Sequence, residues 1–195
     1  MKYVLGLTGP TGAGKSTASK AAKKLGWYVI DCDLLVRSAY EREEVLIAVR
    51  KVFGDEVFNV NGGLNRKKLG AKAFSTPENT EKLNLTVLPF ITQMINEEIT
   101  NSVSDKILLD APTLFESGAD KICNAVCVIL SDEKYRLDRI TARDGIDETA
   151  ASLRMSAGKT DEYYKARTPH IIYNNAGKRE LEKEFTSLLN KLGGN

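Results

Sequence analysis

A chain of 195 residues with 28 Lys and Arg against 26 Asp and Glu carries a formal charge of +2, too little to argue for a nucleic-acid partner. Its 42% hydrophobic and 28% charged residues describe an ordinary soluble globular protein, long enough for one domain with a sizeable insert. No apolar stretch approaches the ~20 residues that span a bilayer, and Met1-Lys2 leads into a run broken by Gly6 and Gly9, so neither a membrane span nor a secretory leader is expected.

Taken in chain order, Tyr3–Leu7 is a short apolar run that predicts a buried strand. Lys15–Leu25 predicts a helix that stops near Gly26. Trp27–Ile30 predicts a second strand, Ile107–Leu109 a third, Ala125–Leu130 a fourth and Ile171–Tyr173 a fifth. Lys178–Leu192 places Leu181, Phe185, Leu188, Leu189 and Leu192 on one helical face. Strands alternating with helices imply an α/β fold, a parallel five-stranded sheet covered on both sides.

Roughly 70 residues separate the second and third strands, far more than one crossover helix needs. Glu43–Phe53 reads as a helix, Asn61-Gly62-Gly63 as a turn, and Ser75-Thr76-Pro77-Glu78 as a helix start. A further amphipathic helix is predicted from about Pro89 to Thr100. The stretch from about 37 to 104 is therefore expected to be a helical insert, either an acceptor-binding subdomain or a purely structural elaboration. Cys32, Cys123 and Cys127 are odd in number and are not spaced as a metal site. A reduced, cytoplasmic chain is the simplest expectation, with Cys127 as core filling. The one histidine, His170, opens an apolar strand with no nucleophile or ligand nearby and reads as structural. Oligomeric state is left open, a monomer being the simpler expectation.

Gly9-Pro10-Thr11-Gly12-Ala13-Gly14-Lys15-Ser16 fits GxxxxGK[ST], and it follows a strand and opens a helix. A loop that wraps a phosphate must turn its N–H groups inward, through conformations that glycine tolerates. The helix behind it adds the partial positive charge of its N-terminus. Gly12, Ala13, Gly14, Lys15, Ser16 and Thr17 are thus candidate ATP-binding residues, with the Lys15 ammonium reaching the β- and γ-phosphates and the Ser16 hydroxyl on Mg2+. The fold class becomes that of a P-loop NTPase-type sheet, and the reaction class phosphoryl transfer to a small molecule.

In a parallel sheet, ligands gather beyond the carboxyl ends of the strands. Asp31 and Asp33 follow the second strand, Asp110 the third, and Asn175 with Gly177 the fifth. Asp33 is a candidate base for the acceptor hydroxyl, or a helix-cap aspartate. Asp110 is a candidate magnesium support, and Asp31 and Glu116 belong with the acceptor. Arg136, Arg139 and Arg143, at i, i+3 and i+7, share a helical face. With Arg154 they suit an arginine-rich lid over about 132 to 165, or a solvated face paired with Asp132, Asp138 and Asp144.

Several longer pieces occur in order. They are Gly6-Leu7-Thr8-Gly9 ahead of the loop, Val29-Ile30-Asp31-Cys32-Asp33, Gly63-Leu64-Asn65-Arg66-Lys67-Lys68-Leu69 with Ala73-Phe74, and Leu83-Asn84. Then come Leu109-Asp110-Ala111-Pro112-Thr113-Leu114-Phe115-Glu116, Arg139, Arg143-Asp144-Gly145 and Asn175-Ala176-Gly177. Over most of its length the chain resembles the dephospho-CoA kinase family on these pieces. The resemblance implies transfer of the ATP γ-phosphoryl group to the ribose 3′-hydroxyl of dephospho-CoA. It implies Asp33 as base, Lys15 and Ser16 on ATP and magnesium, and Arg139 and Arg143 on the transferred charge. It also puts Pro112 on the acceptor side, inside the Leu109–Glu116 signature. Four places depart from the family pattern: Leu88-Pro89 for His-Pro, Gly158 for a lid glutamine, Pro169-His170 for Ala-Asp, and Pro10-Thr11 for Gly-Ile. Two other readings stand beside it: another small-molecule kinase of the same fold acting on a nucleoside, nucleotide or similar alcohol, and a nucleotide-binding module without catalysis.

Overall fold

All five predicted strands form, and they make one parallel sheet. A computed structural model describes residues 2–193. The strands are β1 (Tyr3–Thr8), β2 (Tyr28–Asp31), β3 (Lys106–Asp110), β4 (Ala125–Leu130) and β5 (His170–Tyr173), in the order β2-β3-β1-β4-β5. The helices are α1 (Lys15–Lys24), α2 (Cys32–Ala39), α3 (Glu43–Phe53), α4 (Arg66–Ala73), α5 (Pro77–Asn101), α6 (Glu133–Asp144), α7 (Glu148–Ser156), α8 (Asp161–Lys165) and α9 (Lys178–Gly193). Two compact units result. One combines the chain through Asp31 with the chain from Ser102 onward; the other is Cys32–Asn101.

The sheet unit buries both faces, which is why its strands read as continuous apolar runs rather than alternating ones. On one face Leu5, Leu7, Leu108, Cys127, Ile129 and Ile172 meet α1 and α9. Here α1 contributes only small side chains, Ala18, Ala21 and Ala22, while α9 inserts Leu181, Phe185 and Leu189. Each large side chain so buried stabilises the fold by about 1.5–3 kcal/mol. On the other face Val128 and Leu130 pack with Tyr164, flanked by Phe115, Tyr163 and Ile171. Burial raises the Cys127 pKa to about 12, so this thiol is inert core filling, as the sequence suggested.

Cys32–Asn101 is helical, organised on α5, which packs against α2, α3 and α4. Val45, Val49 and Phe53 of α3 and Leu83, Val87, Ile91, Met94 and Ile95 of α5 are buried in it, with Leu35 and Ala39 of α2 and Leu69 and Ala73 of α4. Asn61-Gly62-Gly63 does form a turn: Gly62 takes φ +83° and Phe58 bridges to Leu64 across it. Where the sequence predicts a separate helix from about Pro89, one 25-residue helix runs through Pro89. A proline there removes the bond to the Leu85 carbonyl. Pro89 and Leu85 are both exposed, Leu85 at 70%, so that side of the helix faces solvent. The buried stripe continues at spacings of three and four through the proline and holds both halves in one axis.

Candidate active site

Beyond β1 the chain turns through Gly9, Gly12 and Gly14 at φ +140°, +77° and +114° before α1 begins. Two of these positions are closed to any side chain by contact as well as by conformation. A Cβ on Gly9 would lie 2.2 Å from the Ile129 carbonyl oxygen, and one on Gly14 2.4 Å from Asn174 Nδ2. Ala13 N–H donates to the Pro10 carbonyl at 3.3 Å, closing a turn inside the loop. Thr17 and Ala18 donate to the Gly14 carbonyl, so Gly14, Lys15 and Ser16 stand at the start of the helix, where N–H groups lack intrahelical acceptors. The Lys15 ammonium folds back over the loop, donating to the carbonyls of Gly9 (2.6 Å) and Pro10 (3.3 Å). A cradle of helix-start amides with a lysine across its mouth suits a polyphosphate.

The outer side of this loop is also held. Arg136 Nε donates to the Thr11 carbonyl (3.0 Å), Arg139 Nη1 to that of Gly12 (3.3 Å), and Asn174 Nδ2 to that of Ala13 (2.7 Å). Arg139 also reaches Ser131 Oγ (3.1 Å) and the Asn174 carbonyl (2.8 Å). Burial lowers the Arg139 pKa from the usual arginine value. Arg143 behaves differently. It is exposed and grips Asp144 of its own helix with two bonds, and Arg154 joins the same carboxylate. Of the three arginines on one face of α6, two are thus spent on the loop and one is paired locally.

Asp31 and Asp110 close β2 and β3 and face each other in register. Parallel neighbours of this kind sit about 4.8 Å apart with side chains on the same sheet face. Asp110 Oδ2 accepts a 2.5 Å bond from Ser19 Oγ of α1, whose hydroxyl lies one turn past Lys15. Ser16 is exposed in the first turn of α1. Hard oxygen donors of this type, the Ser16 hydroxyl and the Asp110 carboxylate, fit Mg2+, which keeps several waters and is shared with substrate phosphates rather than caged by protein.

The remaining candidates fall as follows. Asp33 lies exposed in the first turn of α2 rather than ahead of it. The Pro112 carbonyl accepts from the buried Thr8 hydroxyl at 3.1 Å, fixing the turn after β3 to β1. Glu116 is exposed; after burial, its charge is the largest influence raising the Tyr164 pKa to about 12. Asn175 Oδ1 accepts from Ser131 Oγ and Asp132 N–H, and its Nδ2 donates to Asp132 Oδ1, which ties the end of β5 to the start of α6. Gly177, at φ +106°, precedes α9 with open space where a Cβ would stand. Asn174, Ser131 and Ser19 join the site without belonging to any motif in the sequence. Asn174 and Ser131 were findable by the rule that residues just past strand ends face the site, since they follow β5 and β4 directly.

A family model described as dephospho-CoA kinase matches residues 3–180. The chain belongs to the dephospho-CoA kinase family. A Fusobacterium nucleatum dephospho-CoA kinase is 33% identical over 181 residues, 93% of this chain and 94% of that one. A Staphylococcus aureus dephospho-CoA kinase is 31% identical over 196 residues, 99% of this chain and 95% of that one. Among solved structures, a Thermus thermophilus protein superposes with TM-score 0.84 at 27% identity, covering 99% of both chains. Campylobacter jejuni dephospho-CoA kinase (TM-score 0.63, 22% identity, 98% and 97% covered) and Acinetobacter baumannii shikimate kinase (0.55, 16%, 100% and 97%) share the fold. Of the places that depart from the family pattern, Leu88 is half-buried on α5, Gly158 and Pro169 are exposed, Thr11 and His170 are half-buried, and Pro10 is buried in the loop.

Proposed function

We propose that the chain transfers the γ-phosphoryl group of ATP to the ribose 3′-hydroxyl of dephospho-CoA, giving coenzyme A and ADP. The observation that carries this reading is a complete strand–loop–helix phosphate cradle with Lys15 across it, in a chain of this family. In the step, the 3′-oxygen forms a bond to the γ-phosphorus while the bond to the β,γ-bridging oxygen breaks. ADP leaves with that electron pair, and the hydroxyl proton passes to Asp33. Loop residues Gly12 to Thr17 and Lys15 bind the phosphates. Asn175 and Gly177 lie on the nucleotide side, and Asp31, Asp110, Pro112 and Glu116 serve the acceptor. Arg143 neutralises charge on the transferred group, exchanging its Asp144 pairing to do so, while Arg139 acts through the loop that it fastens. Mg2+, held by Ser16 and Asp110 together with the nucleotide, supplies charge neutralisation when bound. The helical unit receives the pantetheine-bearing acceptor, and the enzyme works in the cytoplasm.

The test is ADP release with dephospho-CoA, a panel of nucleosides and shikimate as acceptors. Turnover with dephospho-CoA alone is expected. Turnover only with another acceptor would assign a different small-molecule kinase, and none with any acceptor a binding module. Asp33→Asn is expected to lower kcat about 10²–10⁴-fold with ATP affinity retained, since general-base catalysis contributes that range. An unchanged kcat would remove Asp33 from that role.

A further inference from the structure

Asn174 lies past the end of β5 and is only 4% exposed. Among the described residues its side chain makes one hydrogen bond, Nδ2 to the Ala13 carbonyl at 2.7 Å, and its buried Oδ1 has no partner. The backbone of Asn174 is fixed independently. Its N–H donates to the Leu130 carbonyl, and its own carbonyl accepts from Ser131 Oγ and Arg139 Nη2. A buried amide with an orphaned oxygen is a poor choice for stability, because an apolar side chain of the same size would leave nothing unsatisfied on that residue. What the amide does provide is a donor on one particular loop peptide.

That donor sets a direction. In a trans peptide the C=O and the following N–H point oppositely. Holding the Ala13 carbonyl toward the end of β5 therefore aims the Gly14 N–H away from it, into the concave side of the loop. The amide also lies directly on Gly14 Cα, since a Cβ there would meet Nδ2 at 2.4 Å. Arg136 on the Thr11 carbonyl does the same for the Gly12 N–H, and Arg139 holds the Gly12 carbonyl between them. A row of three loop carbonyls is thus fastened from outside, and only the Asn174 bond comes from a buried, uncharged group.

We infer that Asn174 is a positioning residue for nucleotide binding: through the Ala13 carbonyl it pre-aims the Gly14 amide at a phosphate oxygen. This rests on the reading of the loop as the ATP phosphate site. The experiment is Asn174→Leu, near-isosteric but without a donor, in the full chain. MgATP binding is followed by calorimetry, kcat and both KM values by ADP release, and folding by thermal unfolding. The ATP Kd and KM are expected to rise about tenfold, the loss of roughly one hydrogen bond to a charged group. The kcat and the KM for dephospho-CoA should stay within about twofold, the signature of lost uniform binding. The inference is overturned by an unchanged ATP Kd in a folded variant, or by both KM values rising together, which marks general damage. Asn174→Ala, which cannot clash, gives the same decision if the leucine variant does not fold. A wild-type protein that fails to bind MgATP would overturn the phosphate-site reading itself, and this inference with it.

Discussion

One methyl group added at Gly14 should cost far more than the same group at Gly26, although both glycines have positive φ. Gly26, at φ +79°, has no described residue within 4 Å of where a Cβ would stand. Alanine there bears only the left-handed backbone cost of about 1–2 kcal/mol. Gly14, at φ +114°, bears a backbone cost of about 1–3 kcal/mol and meets Asn174 Nδ2 at 2.4 Å and Leu181 Cδ2 at 3.0 Å. Asn174 cannot keep its bond to Ala13 while moving aside, and breaking it leaves buried polar groups unpaired, for about 1–3 kcal/mol more. The sum, about 2–6 kcal/mol, is a large part of the 5–15 kcal/mol that stabilises a typical domain. Urea unfolding of both variants, followed by circular dichroism, gives as their difference the contact cost together with the small difference in backbone cost. Combining Gly14→Ala with Asn174→Ala removes the clashing atom, so the pair should be less than additive. Equal destabilisation by Gly14→Ala and Gly26→Ala, or strict additivity in the pair, would refute the packing described between the loop and the end of β5.

Two further outcomes follow from the core and from the helical unit. The Cys127 thiol is raised from 9.0 to about 12 by burial, so the unfolded chain ionises first. Its contribution is fully present below pH 9.0 and is lost as pH rises towards about 12, by about 1.4 kcal/mol per pH unit. Cys123, raised likewise to about 12 chiefly by burial, adds to the same decline. Urea midpoints at pH 8 and pH 10.5 should show it, and Cys127→Ala should reduce the slope without abolishing it; an unchanged slope in the variant would remove Cys127 as a source. Pro89→Ala restores an N–H inside α5 and should raise the stability of that helix by about 1–3 kcal/mol, read as a higher urea midpoint. A fall instead would mean that the proline ring packs better than its exposure implies.

The strands and the loop were legible because their signals are local. A doubly covered parallel strand needs an unbroken apolar run, and Ile107–Leu109 and Ala125–Leu130 supply one without reference to any neighbour. The loop needs glycines at fixed offsets and a lysine at the helix start, all within Gly9–Ser16. The family pieces, too, are short words read in order. Helix α5 was misread at Pro89 because proline is a local stop signal, while the stripe Leu83, Val87, Ile91, Met94 that overrides it acts only once packed.

What tertiary structure alone decided is which group serves which neighbour. The Asn174 bond to Ala13 joins residues 161 apart in sequence. It exists because β5 lies on the far side of β4 from β1. The three arginines of α6 are equivalent by helical spacing, yet Arg136 and Arg139 fasten the loop while Arg143 pairs with Asp144. A residue's own spacing determines the element it joins. The order of strands in the sheet determines which carbonyl, carboxylate or amide it then meets, and no local pattern carries that order.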